Sequence, residues 1–285
     1  MQQILLPIAA VGGMGLIFGA LLAIAARIFA VEKDERIPLI VECLPGANCG
    51  GCGYAGCSAY AEAVAAGEAK MNCCPVGGAA VAAKIAEIMG VDADEEQEKM
   101  VACVMCSGTK DVAPDRYIND SHIDCHTAAR IAGGMKECSF GCLGKGSCVA
   151  KCQFDAISIV DGIAVIDRKK CKDCGACILE CPRNVIKRVP FDAKVTVKCS
   201  SHVPGKKTRL VCKVGCIGCG ICVKNCESNA IYLENDCAVI DAAKCTECGV
   251  CVEKCPRKII EMRQPEEEKE ISIARKVRSF TAVKM

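Results

Sequence analysis

Cysteine spacing restricts what this chain can fold into more than any other feature. The chain has 28 cysteines in 285 residues, a share typical of small disulfide scaffolds in a chain several times too long for that class. Many of them fall in runs of the form Cys-x2-Cys-x2-Cys-x3-Cys, which bring four sulfurs around one point, whereas disulfide partners scatter along a chain. The spacing therefore favours metal ligation. Thiolate ligands are reduced, so we expect them in the cytoplasm.

Charge and other motifs exclude several functions. The 36 Lys and Arg residues nearly balance the 34 Asp and Glu residues, so no basic field indicates nucleic acid binding. No Gly-x-Gly-x2-Gly follows a predicted strand, so NAD and flavin are expected on partner subunits. We predict no catalytic residue, because electron transfer makes and breaks no substrate bond. Three histidines near Cys125 and Cys199 are expected to be solvated or capping groups: His122, His126 and His202.

The N-terminal segment is apolar. Ile4 to Ala26 carry no charge, and at ~1.5 Å per residue they exceed the ~30 Å hydrocarbon core of a bilayer. A cleaved signal peptide and a buried core helix are alternatives, but the N-terminus lacks the basic start of a signal peptide. Positive charges follow the segment at Arg27, Lys33 and Arg36. This pattern predicts one transmembrane helix in the inner (cytoplasmic) membrane, with the cysteine domains in the cytoplasm.

A repeat organises the second half of the chain. A shift of 74 residues places Cys171, Cys174, Cys177 and Cys181 on Cys245, Cys248, Cys251 and Cys255. Each copy also contains two short β-like stretches, so two related domains are predicted in tandem. Each copy resembles the bacterial two-cluster ferredoxin, in which the fourth cysteine of each run ligates the other cluster.

The ferredoxin resemblance implies four ligand sets. In the second domain they are Cys216, Cys219, Cys222 and Cys255, and Cys245, Cys248, Cys251 and Cys226. In the first domain, Lys145 occupies the position that matches Cys219, and Cys138 is interpreted as the substitute ligand. The first-domain sets are then Cys138, Cys142, Cys148 and Cys181, and Cys171, Cys174, Cys177 and Cys152.

Several cysteines remain outside these sets. The same shift matches Cys125 with Cys199 and Cys138 with Cys212. A further cluster could use Cys103, Cys106 and Cys125 together with Cys199 or Cys212; the alternative is that these are redundant free thiols. Cys237 aligns with Ile163 on a β-like stretch and is expected to be a small buried hydrophobe.

A glycine-rich island precedes the repeat. Its sequence, Leu44-Pro-Gly-Ala-Asn-Cys49-Gly-Gly-Cys52-Gly-Tyr-Ala-Gly-Cys57, resembles the 4Fe-4S domain shared by the B subunit of the Rnf complex and corrinoid iron-sulfur proteins. The resemblance implies the ligands Cys49, Cys52, Cys57 and Cys74, with Cys73 as the alternative fourth ligand. The neighbouring glycines let backbone amides approach the sulfurs.

The order of apolar helix, Cys-Gly island and ferredoxin clusters resembles the family of the B subunit of the Rnf complex. An α+β protein is implied, with a single N-terminal transmembrane helix, a small Cys-rich 4Fe-4S domain and tandem two-cluster ferredoxin domains. The expected segments are a membrane anchor (1–30), a 4Fe-4S domain (31–91), a connector (92–137), two ferredoxin-like domains (138–190 and 191–262) and a charged tail (263–285).

The family resemblance also implies a function. We expect an electron-transfer subunit of a membrane complex that couples electron flow from reduced ferredoxin to NAD with sodium or proton translocation. At least five 4Fe-4S clusters are expected, and six if the additional cysteines bind one. The expected partners are soluble ferredoxin and the other membrane and flavin or NAD subunits. The alternatives are an iron-sulfur relay of another membrane oxidoreductase, of the hydrogenase or formate dehydrogenase type, and a structural zinc protein.

Overall fold

The computed structural model describes residues 2–28, 34–91, 98–118 and 122–263. The charged tail beyond residue 263, the acidic stretch 92–97 of the expected connector and Lys33 lie outside the described residues. Helices alternate with two-stranded sheets, which confirms the α+β part of the expected fold class.

The first helix, α1, spans Gln2–Ile28. Apolar side chains in its second half are largely exposed, among them Leu16, Phe18 and Leu22. Over the residues that the structure describes, no helix meets the combined demands of length and apolar character for crossing a membrane. The transmembrane segment expected from the sequence therefore stays a prediction.

The N-terminal domain, expected to bind a 4Fe-4S cluster, is built from three short helices: α2 (Arg36–Cys43), α3 (Cys57–Ala65) and α4 (Gly78–Met89). Helix α2 packs against both others, and the contact buries Ile40, Tyr60 and Ile85 almost completely. Helix α4 ends at Gly90, whose φ of 69° suits the left-handed residue that closes many helices. The cysteine loops 44–56 and 66–77 join these helices.

The first ferredoxin-like domain contains β1 (Met100–Val104), α5 (Cys125–Arg130), α6 (Ser147–Ala150), β2 (Ile157–Val160), β3 (Ile163–Ile166), α7 (Ala176–Leu179) and β4 (Ile186–Pro190). Strands β2 and β3 form an antiparallel hairpin, and Asp161 and Gly162 both have positive φ in its turn, as a type I′ turn requires. Strand β1 pairs antiparallel with β4. Residues 100–104, expected in the connector, therefore belong to this domain.

The second ferredoxin-like domain repeats this plan. It contains β5 (Val195–Val197), α8 (Gly205–Val211), α9 (Ile221–Lys224), β6 (Ile231–Glu234), β7 (Cys237–Ile240), α10 (Val250–Lys254) and β8 (Ile260–Met262). Strands β6 and β7 form the hairpin, and β5 pairs antiparallel with β8. In each domain, one two-stranded sheet therefore pairs the first strand of the domain with its last strand.

Strand register reveals how the two domains correspond. Val104 lies opposite Ile186 in the first domain, and Val197 lies opposite Ile260 in the second. Ile186 and Ile260 obey the 74-residue shift, but Val104 and Val197 are 93 residues apart. The first domain therefore contains a longer segment after its first strand, and this segment includes α5.

This register corrects one sequence match. Two residues after Val104 and Val197 come Cys106 and Cys199, so Cys106 is the structural counterpart of Cys199. The intervening residues support the equivalence, because the Met105 amide bonds the Val185 carbonyl at 2.7 Å and the Lys198 amide bonds the matching Ile259 carbonyl at 2.8 Å. Cys125, which the 74-residue shift placed on Cys199, instead lies on the longer segment of the first domain.

Candidate metal centres

Five cavities in the described part of the chain are each lined by four cysteines. Their volumes are similar, from about 300 to about 390 Å³. Three of them contain the four cysteines that the sequence grouped together. We call these site I (Cys49, Cys52, Cys57 and Cys74), site II (Cys152, Cys171, Cys174 and Cys177) and site V (Cys216, Cys219, Cys222 and Cys255).

A further expected group, site VI, consists of Cys226, Cys245, Cys248 and Cys251. Cys226 and Cys245 pack against the core cluster that contains Cys251. Burial raises the pKa of the Cys251 thiol, and negative charge on Cys245, Cys248 and Cys226 raises it further. Cys248 of site VI and Cys219 of site V are exposed, whereas Cys251 and Cys222 are buried. Each second-domain site therefore has one cysteine at the protein surface.

Site III, lined by Cys125, Cys142, Cys148 and Cys181, differs from the expected grouping in one residue. The sequence placed Cys138 in this set, but Cys125 takes the position. Cys125 begins α5, and its amide donates to Ser147 Oγ at 2.9 Å beside Cys148. The first domain has Lys145 where the second domain has the cysteine Cys219. The longer segment of the first domain therefore supplies the fourth cysteine of site III from Cys125. Burial, followed by negative charge on Cys142 and Cys125, raises the pKa of the Cys148 thiol to about 12.

Site IV lies between the two ferredoxin-like domains, in a cavity of about 390 Å³. Its cysteines are Cys106, Cys138, Cys199 and Cys212. The structure does not bring together the set expected from the sequence, Cys103, Cys106 and Cys125 with Cys199 or Cys212. Cys125 belongs to site III, both Cys199 and Cys212 line site IV, and Cys103 is replaced by Cys138.

The buried Cys103 side chain has other contacts. Lys198 Nζ donates to Cys103 Sγ at 3.2 Å and to the Val104 carbonyl at 3.4 Å. Cys103 lies on strand β1, where alternate side chains point to opposite faces, and Cys106 follows the end of that strand. Although Cys103 and Cys106 have Cys-x2-Cys spacing, only the Cys106 side chain lines the cavity.

Backbone amides donate to cysteine sulfurs throughout these sites. The amides of Gly77, Ala156 and Ala164 reach Cys74, Cys152 and Cys142 at 3.4 Å each. Such hydrogen bonds favour the thiolate form and tune the potential of a cluster bound to it. Within the described residues, no three His, Cys, Asp or Glu side chains are arranged to hold a single metal ion.

The donor sets fit 4Fe-4S clusters. Each site supplies four thiols, as a cluster ligated by four cysteines requires, and at sites I to V the four thiols line one cavity. Burial raises the pKa of Cys142, Cys177 and Cys222, so ionising these thiols requires a compensating positive charge. Metal coordination supplies that charge and deprotonates a thiol outright.

Sites I and II lie against each other. A Cβ atom at Gly51, in the loop of site I, would lie 3.0 Å from the Cys174 Cα and 3.1 Å from the Cys174 carbonyl oxygen of site II. Glycine is therefore required for this close approach between the N-terminal domain and the first ferredoxin-like domain.

Cys237 has a polar role that its sequence position did not predict. It is buried on β7, as expected, but its thiol donates to the Cys199 carbonyl at 3.4 Å. Its nearness to the two neighbouring sulfurs lowers the pKa of Cys199 and that of Cys216, despite burial. The thiol thus lies between site IV and site V. In the sequence, Cys237 aligns with Ile163, and an apolar residue at the matching position gave no indication of the hydrogen bond from Cys237 to Cys199.

The remaining candidates lie outside the cavities. Cys73, the alternative fourth ligand of site I, directs its amide to Tyr60 Oη at 3.3 Å, and Cys74 lines the cavity instead. His126 Nε2 pairs with Glu180 Oε1 at 3.2 Å, and the His202 ring contacts Phe140 edge-on with centroids 5.0 Å apart. His122 is exposed.

Three family models match the chain. An Fe-S cluster model matches residues 44–76, a 4Fe-4S binding domain model matches residues 164–187, and a 4Fe-4S dicluster domain model matches residues 215–259. These ranges correspond to the site I island, to β3 and the cysteine run of the first ferredoxin-like domain, and to most of the second ferredoxin-like domain.

Curated proteins match most of the chain. The B subunit of a Na(+)-translocating ferredoxin:NAD(+) oxidoreductase complex from Acetobacterium woodii is 48% identical over 86% of this chain and 73% of its own length. The B subunit of an ion-translocating oxidoreductase complex from Methanosarcina acetivorans is 42% identical over 90% of this chain and 97% of its own length. The B subunit of a proton-translocating ferredoxin:NAD(+) oxidoreductase complex from Clostridium ljungdahlii is 40% identical over 80% and 81% respectively.

Proposed function

This chain belongs to the family formed by the B subunits of ion-translocating ferredoxin:NAD(+) oxidoreductase complexes, and from that membership we propose a relay that accepts electrons from reduced ferredoxin. The chain is an iron-sulfur electron-carrying subunit of such a complex. The observation that supports the relay best is the gathering of four cysteines at each of several closely spaced sites.

Sites I, II, III, V and VI each hold one 4Fe-4S cluster in this proposal, so the chain binds at least five. The clusters supply one-electron transfer when bound. The chain's own residues hold them at defined positions, bury or partly bury every ligand cysteine except Cys219 and Cys248, and direct backbone amides at the sulfurs. NAD and flavin sites are assigned to partner subunits.

The second ferredoxin-like domain is a suitable surface for electron exchange. Its sites V and VI each have an exposed cysteine, Cys219 and Cys248. An electron donor that docks at this surface can approach the clusters of sites V and VI directly, because Cys219 and Cys248 are solvent-exposed.

Docking of ferredoxin is proposed to be electrostatic, because ferredoxins are usually acidic. Exposed basic side chains occur beside site II, at Lys170 and Lys172, and on α8, at Lys206, Lys207 and Arg209. Arg168, adjacent to the first group, instead donates to the carbonyls of Phe191 and Ala193 at 3.1 Å each. The lysines therefore carry the positive charge available to a partner in the first group.

We also propose that the N-terminal segment anchors the chain in the inner membrane as a single pass, with the cysteine domains in the cytoplasm. The support is the uncharged stretch Ile4 to Ala26 and the basic residues that follow it, together with the exposed apolar side chains of Leu16 and Leu22 on α1. Whether the complex moves sodium ions or protons is a property of the other subunits in this proposal.

Anaerobic purification tests the relay. Fully reconstituted protein is expected to be brown, to absorb near 400 nm, and to contain at least about 20 iron atoms per chain. Reduced ferredoxin should bleach this absorbance at a rate that falls as ionic strength rises. Colourless zinc protein, an iron content near 8 per chain, or clusters that ferredoxin does not reduce would each contradict the proposal.

A further inference from the structure

We propose that site IV binds an additional 4Fe-4S cluster through Cys106, Cys138, Cys199 and Cys212, and that this cluster links the two ferredoxin-like domains. The inference rests on the proposed function, because it assigns to site IV the same cofactor chemistry as its neighbours. Its cavity of about 390 Å³ has the size of the others and the same number of cysteines.

Each domain contributes the same two ligands to site IV. Cys106 and Cys199 are counterparts by strand register, because each lies two residues beyond the valine that pairs with Ile186 or Ile260. Cys138 and Cys212 are counterparts by the 74-residue repeat. A site assembled from two equivalent pairs is expected where two copies of one domain face each other.

The loops that carry Cys138 and Cys212 are also alike. Both follow the pattern Cys-x2-Gly-Cys, with Gly141 and Gly215 as the glycines. A Cβ at Gly141 would lie 3.4 Å from the Cys138 Cβ, and one at Gly215 would lie 3.3 Å from the Cys212 Cβ. In both loops the glycine leaves room for the cysteine to turn toward the cavity.

The hydrogen bonds to the sulfurs follow the same symmetry. Cys106 Sγ accepts from the amides of Gly108 at 3.4 Å and Cys142 at 3.5 Å. Cys199 Sγ accepts from the amides of Ser201 at 3.5 Å and Cys216 at 3.4 Å. Two amide donors on each sulfur are suited to a thiolate that ligates a cluster.

A buried cation completes the site. Lys136 lines the cavity, is only 3% exposed, and donates from Nζ to the Gly108 carbonyl at 2.5 Å. Among the ion pairs of the described residues, none provides Lys136 with a carboxylate. A buried ammonium requires a nearby negative charge, and four thiolates around a cluster provide a net negative charge.

Site IV is next to a site in each domain. Its Cys106 accepts the amide of Cys142, a residue of site III, and its Cys199 accepts the amide of Cys216, a residue of site V. Sites II and III meet at α6, since Cys148 of site III lies in this helix and Cys152 of site II follows it, and Gly51 brings site I against site II. Sites I to V therefore follow one another as neighbours, with site IV at the junction between the domains.

Iron analysis of matched variants of the full-length chain tests the inference. Cys138→Ala and Cys212→Ala remove one ligand from each side of site IV, and Cys103→Ala is the control because Cys103 is buried nearby but lines no site. Wild type should contain about 24 iron atoms per chain, the two site IV variants about 20, and the control about 24. Rapid-freeze EPR after mixing with reduced ferredoxin should show fast reduction confined to one side of the junction in the site IV variants.

The outcomes separate this inference from the proposed function. If wild type contains about 20 iron atoms and Cys138→Ala and Cys212→Ala match it, site IV holds free thiols while the relay stands. If Cys103→Ala loses iron and Cys138→Ala does not, the ligand set is wrong. A wild-type content near 8 would refute the proposed function itself. A variant that merely misfolds should lose more than one cluster, whereas loss of site IV removes about four irons in either variant.

Discussion

The contact between sites I and II allows a sharp test at Gly51. Gly51→Ala would place a Cβ 2.9 Å from Pro75 Cγ and 3.0 Å from the Cys174 Cα. Carbon atoms pack at about 3.5–4.0 Å, so the surfaces must separate by roughly 0.5 Å or more. Cys174 presents main-chain atoms, which cannot rotate away as a side chain can. Overpacking of this kind costs about 1–3 kcal/mol, which lowers the ratio of docked to undocked N-terminal domain about 5- to 150-fold.

Hydrogen exchange on the anaerobic, cluster-loaded chain measures this loss. Gly51→Ala should speed exchange in the loop around Cys174, because undocking exposes its amides. Gly53→Ala is the control: Gly53 has a φ of 89° and no atom within 4 Å of an added methyl group, so alanine there costs only backbone strain, about 1–2 kcal/mol, within its own loop. Exchange around Cys174 that is equal in wild type and both variants would refute the close-approach argument.

Three further outcomes are expected. Tyr60→Phe removes the hydroxyl that donates to the Lys70 carbonyl at 2.8 Å and accepts from the Cys73 amide. The folded state should lose about 1–3 kcal/mol of stability, so thermal bleaching of the clusters should begin at a lower temperature. Tyr232→Phe, which changes a half-exposed ring, should match wild type. Burial raises the pKa of Tyr60 above its ordinary value of about 10, so the unfolded chain ionises this hydroxyl first as the pH rises. The stability that the Tyr60 hydroxyl contributes should therefore be constant below about pH 10 and decrease only in stronger alkali. Reversing Lys169 and Lys170, both exposed beside site II, to Glu should slow reduction by ferredoxin and flatten its salt dependence at unchanged iron content. An unchanged rate at low ionic strength would exclude these two lysines as the docking site for ferredoxin. Deleting residues 1–30 should move the brown protein from the membrane pellet to the supernatant, and release of the intact chain by high salt would contradict the anchor.

Family and function were predictable from the sequence. The order of the Cys-Gly island and the two cysteine repeats indicated the B subunit family, and the relatives confirm it. The resemblances carried by that cysteine spacing also implied the groups that lie together at sites I, II, V and VI. The repeat was visible because its matching cysteines keep the same separation in both copies.

Sites III and IV required the register of the strands. A signal for one half of site IV was present, since Val104-Met-Cys106-Ser and Val197-Lys-Cys199-Ser share Val-x-Cys-Ser, but they are 93 residues apart and the 74-residue repeat concealed them. Nothing in the local sequence around Cys125 shows that α5 brings it to the cavity of site III.

The sites that the sequence predicted and those that it did not predict differ in how far apart their ligands lie along the chain. A Cys-x2-Cys-x2-Cys run turns three sulfurs toward one point through its own backbone, so sequence alone determined those ligand groups and the chemistry they serve. Sites III and IV take cysteines from separate loops, and site IV takes them from two domains. Which of Cys125 and Cys138 joins each site depends on how β1 pairs with β4 and how the domains face each other, and only the tertiary structure decided that.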